Sequence, residues 1–228
     1  MEVKPVNIIC LYWRGKDRPG WEDTFLGMEY VFKLYKGFER NCTIPFKFFC
    51  LIENVPTFTF PGIKFLKLDS PSWRGCLPKY SVFNPSYNFK GRVFVCDLDV
   101  VITGNVDDIL SYDGEFATRS TFRGKKESGG DLVAFEGGTY QWIWDEFKNE
   151  TQRVVDFTKG RERWVYRYDR RMRKLKFLQD LFPDQIYSYK NHCNRGRGLP
   201  ENARMVSCHG NPRPHEIRDD WVKEHWRL

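Results

Sequence analysis

The sequence predicts an α/β fold: one domain over residues 1–228, built on a central, mostly parallel sheet flanked by helices, with a basic helix and an irregular C-terminal tail. Three observations predict it. Continuously apolar runs of strand length recur through the first hundred residues, as parallel strands buried on both faces require. A stripe of helical period separates the first two runs, which is the alternation that defines the class. The chain's 228 residues, 41% of them hydrophobic, suffice for one core and leave no room for a second large domain.

Taken in order, Val6 to Tyr12 reads as the first strand. A charged loop with Gly and Pro, Trp13 to Gly20, follows it. Trp21, Phe25, Met28, Phe32 and Tyr35 then recur at spacings of four and three, one face of a helix packed on the sheet. Phe46–Ile52 is a second strand, Ile63–Leu68 an alternating third and Arg92–Cys96 a fourth. Asp107–Leu110 and Tyr140–Phe147 read as short helices, the second burying Tyr140, Ile143, Trp144 and Phe147. Between them, Glu115–Arg119 and Asp131–Phe135 read as strands around a charged, glycine-rich loop, Gly124–Gly130. Residues 164–182 place Trp164, Tyr168, Met172, Leu175, Leu178 and Phe182 at helical spacing. From Tyr187 onward the chain reads as irregular.

The composition excludes collagenous, low-complexity and disordered classes. No apolar run approaches the roughly 18 residues of a membrane span. The start of the chain is too short and wrongly flanked for a secretory signal. The seven cysteines are odd in number, contain no CxxC pair and fall mostly in apolar stretches, so they read as reduced, buried thiols. Together these observations favour a cytoplasmic location.

Charge is unevenly placed. Residues 1–150 carry a net −1 and residues 151–228 a net +8, and the segment 159–176 alone holds nine Lys/Arg against Glu162 and Asp169.

The most informative stretch is the strand Arg92–Cys96 running directly into Asp97-Leu98-Asp99. Two carboxylates at the end of a buried strand are costly unless a cation compensates them. Two residues apart on an extended backbone, they share a face and can converge on one divalent ion bound to phosphate oxygens. Open α/β sheets bind ligands at this carboxyl edge. Two other readings of the pair stand beside this one. The aspartates could be solvated members of a turn. Asp97-Leu98-Asp99-Val100-Val101 also fits the nucleophile motif of haloacid dehalogenase phosphatases, although that motif usually ends the first strand.

With Val100-Val101-Ile102-Thr103-Gly104-Asn105-Val106-Asp107-Asp108-Ile109-Leu110 after the Asp-x-Asp, the chain resembles glycosyltransferases of the GT-A fold, with a Rossmann-like sheet, similar to family 8 and its bacterial and phage relatives. The likeness is strongest over residues 79–110 and 187–227, the latter including Ser188-Tyr189-Lys190-Asn191-His192-Cys193, Leu199-Pro200-Glu201-Asn202-Ala203-Arg204 and His209-Gly210-Asn211-Pro212-Arg213-Pro214-His215-Glu216. The resemblance implies a nucleotide-binding half, 1–110, and an acceptor half, 111–228. It implies Asp97, Asp99 and His209 as ligands of Mn²⁺ (or Mg²⁺) on the diphosphate of a nucleotide-sugar donor, a uridine diphosphate sugar. Arg213 is the nearest match to the basic residue that contacts the diphosphate. Lys79, in Leu77-Pro78-Lys79-Tyr80, resembles the lysine that touches the nucleotide, and Tyr12 and Trp13 stand where such folds seat the uracil. Transfer with retention of anomeric configuration is a further implication.

The sequence also departs from the group. Where relatives carry Gly-Asp-Gln before a Trp, this chain has Gly160-Arg161-Glu162-Arg163-Trp164. Asp184-Gln185 is the pair that could supply the same chemistry, and Asp131, in Glu127-Ser128-Gly129-Gly130-Asp131, is the candidate sugar-hydroxyl ligand. His192, His215 and His225 read as structural.

The basic segment, interleaved with Trp164, Tyr166 and Tyr168, suits a polyanion: cations for phosphates and aromatic rings for bases. DNA carrying a hydroxymethylated base is one acceptor that fits, and anionic lipid or a glycan is the other. A non-catalytic nucleic-acid-binding protein on the same scaffold is the alternative class, and an ordinary solvated helix face is the plain one.

Overall fold

A computed structural model describes residues 5–13, 27–69, 75–122, 128–158 (backbone alone at 157 and 158) and 175–228. Its main sheet has seven strands: β1 (Val6–Tyr12), β2 (Phe46–Ile52), β3 (Ile63–Lys67), β4 (Arg92–Cys96), β6 (Ala117–Ser120), β7 (Ser128–Glu136) and β8 (Lys176–Phe177). They lie in the order β3-β2-β1-β4-β7-β6-β8. The first four are mutually parallel and β7 runs antiparallel to both its neighbours. A second sheet, β5-β10-β9, joins β5 (Val100–Ile102) to β9 (Ile186–Ser188) and β10 (Met205–Ser207).

Strand β1 shows why its sequence is apolar at nearly every step. Val6, Ile8 and Cys10 enter one core and Ile9 and Leu11 the other, so both faces are covered, and the one buried polar side chain, Asn7, is satisfied by donating to the Lys90 and Arg92 carbonyls. Helix α1 (Glu29–Asn41) covers the first face with Tyr30, Val31, Leu34 and Phe38. It also approaches β5 so closely that a Cβ at Gly37 would stand 3.2 Å from Ile102. The opposite face is covered by the 3₁₀ segment Leu77–Phe83 and by α3 (Gln141–Asn149), through Tyr80 stacked on Phe147 at 4.1 Å. Helices α2 (Asp107–Leu110), α4 (Thr151–Thr158), α5 (Leu178–Leu181) and α6 (Asp220–His225) complete the described α-helices. No helix among the described residues is long and apolar enough to cross a membrane. All seven cysteines are free and six are buried.

The structure corrects several sequence expectations. Of the helix expected over 164–182, the described part from 175 onward is instead a strand at Lys176–Phe177 followed by the single turn α5. Lys176 and Phe177 pair with Ala117 and Thr118, a tertiary contact that overrides local helical spacing. Residues 159–174, with nearly all of the basic cluster, lie outside the described residues, as do Trp21, Phe25 and positions 124–127. Ser128 to Gly130, assigned to a loop, begin β7. The tail read as irregular contains β9, β10, a π-helical turn at Tyr189–Cys193 and α6.

Candidate functional site

The carboxyl ends of β1 and β4 open on one edge of the main sheet. Their register sets Ile9 beside Val95, so Tyr12 and Trp13 leave β1 on the same edge at which Asp97 leaves β4. The Trp13 indole donates to the Gly75 carbonyl at 3.1 Å, which fixes its ring against the segment leading to Lys79.

The Asp-x-Asp segment is a turn, not the extended strand that its two-residue spacing suggested: the Val100 N–H donates to the Asp97 carbonyl at 3.3 Å. Three aspartates nonetheless gather here, because two ladders each run one step past their strands. The Asp97 N–H donates to the Asp131 carbonyl at 2.9 Å, extending the β4–β7 pairing, and the Cys208 N–H donates to the Asp99 carbonyl at 2.9 Å, extending β5–β10. The second ladder delivers His209 to the neighbourhood of Asp99 from a hundred residues away.

Each carboxylate is matched by one cation. Lys79, only 2% exposed, places its ammonium 2.8 Å from Asp97 Oδ2 and donates also to the Gly130 carbonyl at 3.1 Å. Arg213 Nη1 pairs with Asp99 Oδ2, both side chains nearly buried. Arg119 Nε pairs with Asp131 Oδ1, and the Ser207 hydroxyl donates to Asp131 Oδ2 at 2.6 Å. Burial alone would push the Asp131 carboxyl up, but the Arg119 guanidinium, the Ser207 hydrogen bond and Lys79 outweigh it and hold the group below its ordinary value. Asp131 therefore stays ionised, enclosed at 2% exposure with both oxygens engaged, and does not face the open edge. By contrast the Cys96 and Cys208 thiols are pushed well up by burial and by the nearby aspartates, so they are inert neighbours.

His209 Nε2 lies 3.1 Å from the Ser188 hydroxyl, and its ring stacks on Phe122 at 6.4 Å. Arg119 lies over the other part of this platform, 4.7 Å from the Phe122 ring. The loop after His209 is tied down at several points, through Arg213, Glu216 and His215, the last bonded to the Tyr30 hydroxyl.

Asp184 and Gln185 are not brought to this cluster. Asp184 is an exposed turn residue, and the Gln185 carbonyl accepts from Arg204 and Met205 at the start of β9. Ser188, which meets His209, ends the same strand, about 10 Å further along an extended backbone. Three residues that sequence reasoning missed belong to the cluster. Arg119 and Ser207 lock Asp131, and Lys190 lies across Gly210, where an added Cβ would stand 2.7 Å from its Nζ. A buried arginine two residues into an apolar strand was the signal for Arg119; Ser207 and Lys190 had none.

The donor set, two carboxylates and an imidazole, has the chemistry that Mn²⁺ or Mg²⁺ requires. Among the described residues no three His, Cys, Asp or Glu side chains stand close enough to enclose a metal ion as they are. Lys79 and Arg213 are cations at the two positions concerned, so the residues fit a cation and the protein supplies its own.

A seven-stranded, mostly parallel sheet flanked by helices matches the fold of GT-A glycosyltransferases. The chain is similar in structure to the glycosyltransferase GlyE of Streptococcus pneumoniae TIGR4, with a TM-score of 0.70 and 12% identity over 99% of this chain and 62% of GlyE. It is also similar to the galactosyltransferase LgtC, whose structure holds donor and acceptor sugar analogs, with a TM-score of 0.62 and 8% identity over 98% of this chain and 97% of LgtC. No protein-family model matches the sequence, and no curated protein matches it.

Proposed function

We propose that the chain is a glycosyltransferase that moves a sugar from a nucleotide-sugar donor, a uridine diphosphate sugar, to an acceptor hydroxyl with the help of Mn²⁺ or Mg²⁺. The observation that carries this reading is the two acid–cation pairs at the carboxyl edge of a GT-A sheet, Lys79–Asp97 and Arg213–Asp99, on which a metal diphosphate can exchange charge for charge. Asp97, Asp99 and His209 would hold the metal, which would supply positive charge against that of the departing diphosphate. Tyr12 and Trp13 flank the base, and Arg213 shares the phosphate charge. Lys79 holds Asp97 in place from below. Asp131 fixes Arg119 and Ser207 around the His209 platform, so its part is positioning. The acceptor oxygen bonds to the anomeric carbon on the face from which the diphosphate departs, as retention requires, its proton passing to a diphosphate oxygen, and the rate depends on how well the hydroxyl is held there.

The charge run at 159–176 favours a polyanionic acceptor, with hydroxymethylated DNA ahead of anionic lipid or glycan. The phosphatase alternative loses its footing because β4 is the fourth strand of the chain, not the first.

Donor hydrolysis tests the reading. Release of free UDP from a UDP-sugar, dependent on Mn²⁺ and abolished in Asp99→Ala, supports it. DNA binding with no turnover of any nucleotide sugar supports the binding protein instead. Hydrolysis of an aryl phosphate through a phosphorylated Asp97 would support the phosphatase.

A further inference from the structure

The Asp99–Arg213 pair has an unusual feature. Arg213 Nη1 is bonded to the carboxylate, yet Arg213 Nε is buried with no acceptor among the described residues. A buried donor left unmade keeps its desolvation penalty, so this pose satisfies Asp99 better than it satisfies Arg213.

The backbones on both sides of the pair are fixed. The Asp99 carbonyl is held by Cys208. The Arg213 N–H donates to the Glu216 carboxylate at 2.5 Å, and the Glu216 N–H returns to the Arg213 carbonyl at 2.9 Å. Pro214 is buried, and His215 is bonded to Tyr30, a 1% exposed residue of α1. Any exchange at Asp99 must therefore be made by the Arg213 side chain swinging on a stationary stem.

Resting on the function proposed above, we infer that Arg213 is a resident cation at Asp99 that leaves only when a diphosphate gives it somewhere to go, so that metal and nucleotide bind as a coupled pair. The charges require the coupling. Three acids are already matched by Lys79, Arg119 and Arg213. A divalent cation arriving alone must expel a guanidinium from a nearly buried carboxylate with no phosphate to receive it. With the diphosphate present, the planar guanidinium can donate to two phosphate oxygens at once and its idle Nε finds a partner. Reciprocity then fixes the thermodynamics: the factor by which nucleotide tightens metal binding equals the factor by which metal tightens nucleotide binding.

The test is titration of the full chain with Mn²⁺, read by the electron paramagnetic resonance amplitude of the free aqueous ion, without and with saturating UDP. For the unaltered chain, UDP tightens Mn²⁺ binding by about ten- to a hundredfold, the range of one charge-assisted hydrogen bond. In Arg213→Gln, Mn²⁺ alone binds tighter than it does to the unaltered chain by a similar factor, and UDP adds little more. Arg213→Lys, which keeps a charge but not the fork, falls between the two and takes the place of Arg213→Gln if that variant does not melt cooperatively. Arg213→Gln or Arg213→Lys binding Mn²⁺ alone no tighter than the unaltered chain, while Asp99→Asn abolishes binding, would overturn the coupling and leave the proposed function standing. Undiminished Mn²⁺ and UDP binding by Asp99→Asn would overturn the proposed function itself.

Discussion

Arg119→Met removes one half of the most enclosed ion pair in the described structure, where the side chains of Arg119 and Asp131 are 7% and 3% exposed. Asp131 is left charged, with Ser207 as its remaining strong donor. Breaking a buried pair from one side costs about 3–5 kcal/mol, because the surviving charge keeps its desolvation penalty and loses its compensation. For a chain of this size each kcal/mol moves Tm by about 2–4 °C, so a fall of roughly 10 °C is expected. The pH dependence should also change sign. In the unaltered chain the folded-state pKa of Asp131 lies below its unfolded value, so the pair stabilises above the unfolded pKa and that stability is lost as pH falls through the folded pKa. Without Arg119, burial becomes the dominant cause and raises the folded pKa above the unfolded one. The group then favours folding at low pH and loses that contribution as pH rises past the unfolded value. Urea denaturation at pH 4 and 7 of Arg119→Met, Asp131→Asn and the double variant measures all of this. The double variant should recover a large part of the loss at pH 7. Strictly additive single effects, or an unchanged pH slope in Arg119→Met, would refute the reasoning.

Lys79→Met should lower Tm by several degrees and nearly abolish UDP release, since Asp97 and the Gly130 carbonyl both lose their donor; a thermal melt alongside the hydrolysis assay separates the two effects. Gly210→Ala forces a residue with φ of +71° into the left-handed region and drives a methyl against Lys190, so a destabilisation of about 1–2 kcal/mol is expected in urea titration. If DNA is the acceptor, raising salt from about 50 to 200 mM should weaken its binding by orders of magnitude in an anisotropy titration, whereas a neutral glycan acceptor would be insensitive.

Much of this arrangement is legible in the sequence where signals are long. β1, β2 and β4 are five to seven residues long and apolar at all but one position each. The site edge is legible for a different reason: acids that end a buried strand are physically expensive and so draw attention. What escaped is what tertiary pairing alone decides. β9 and β10 are three residues each, too short for a period-2 pattern, yet they carry Ser188, Ser207 and the approach to His209. Lys176 and Phe177 lie between Leu175 and Leu178 of the helically spaced stripe, yet they pair as an edge strand. The role of Asp131 was invisible for the same reason, because its partners Arg119 and Ser207 lie on different strands. Asp184-Gln185 shows the converse: a plausible dipeptide that the β9 register leaves at the far end of its strand.

The central claim is tested most directly by determining the structure of the chain with Mn²⁺ and UDP bound. The account predicts the ion within coordination distance of Asp97, Asp99 and His209, with Arg213 turned from Asp99 to the diphosphate. Nucleotide bound at another face of the sheet, with Asp99 still paired to Arg213, would contradict it.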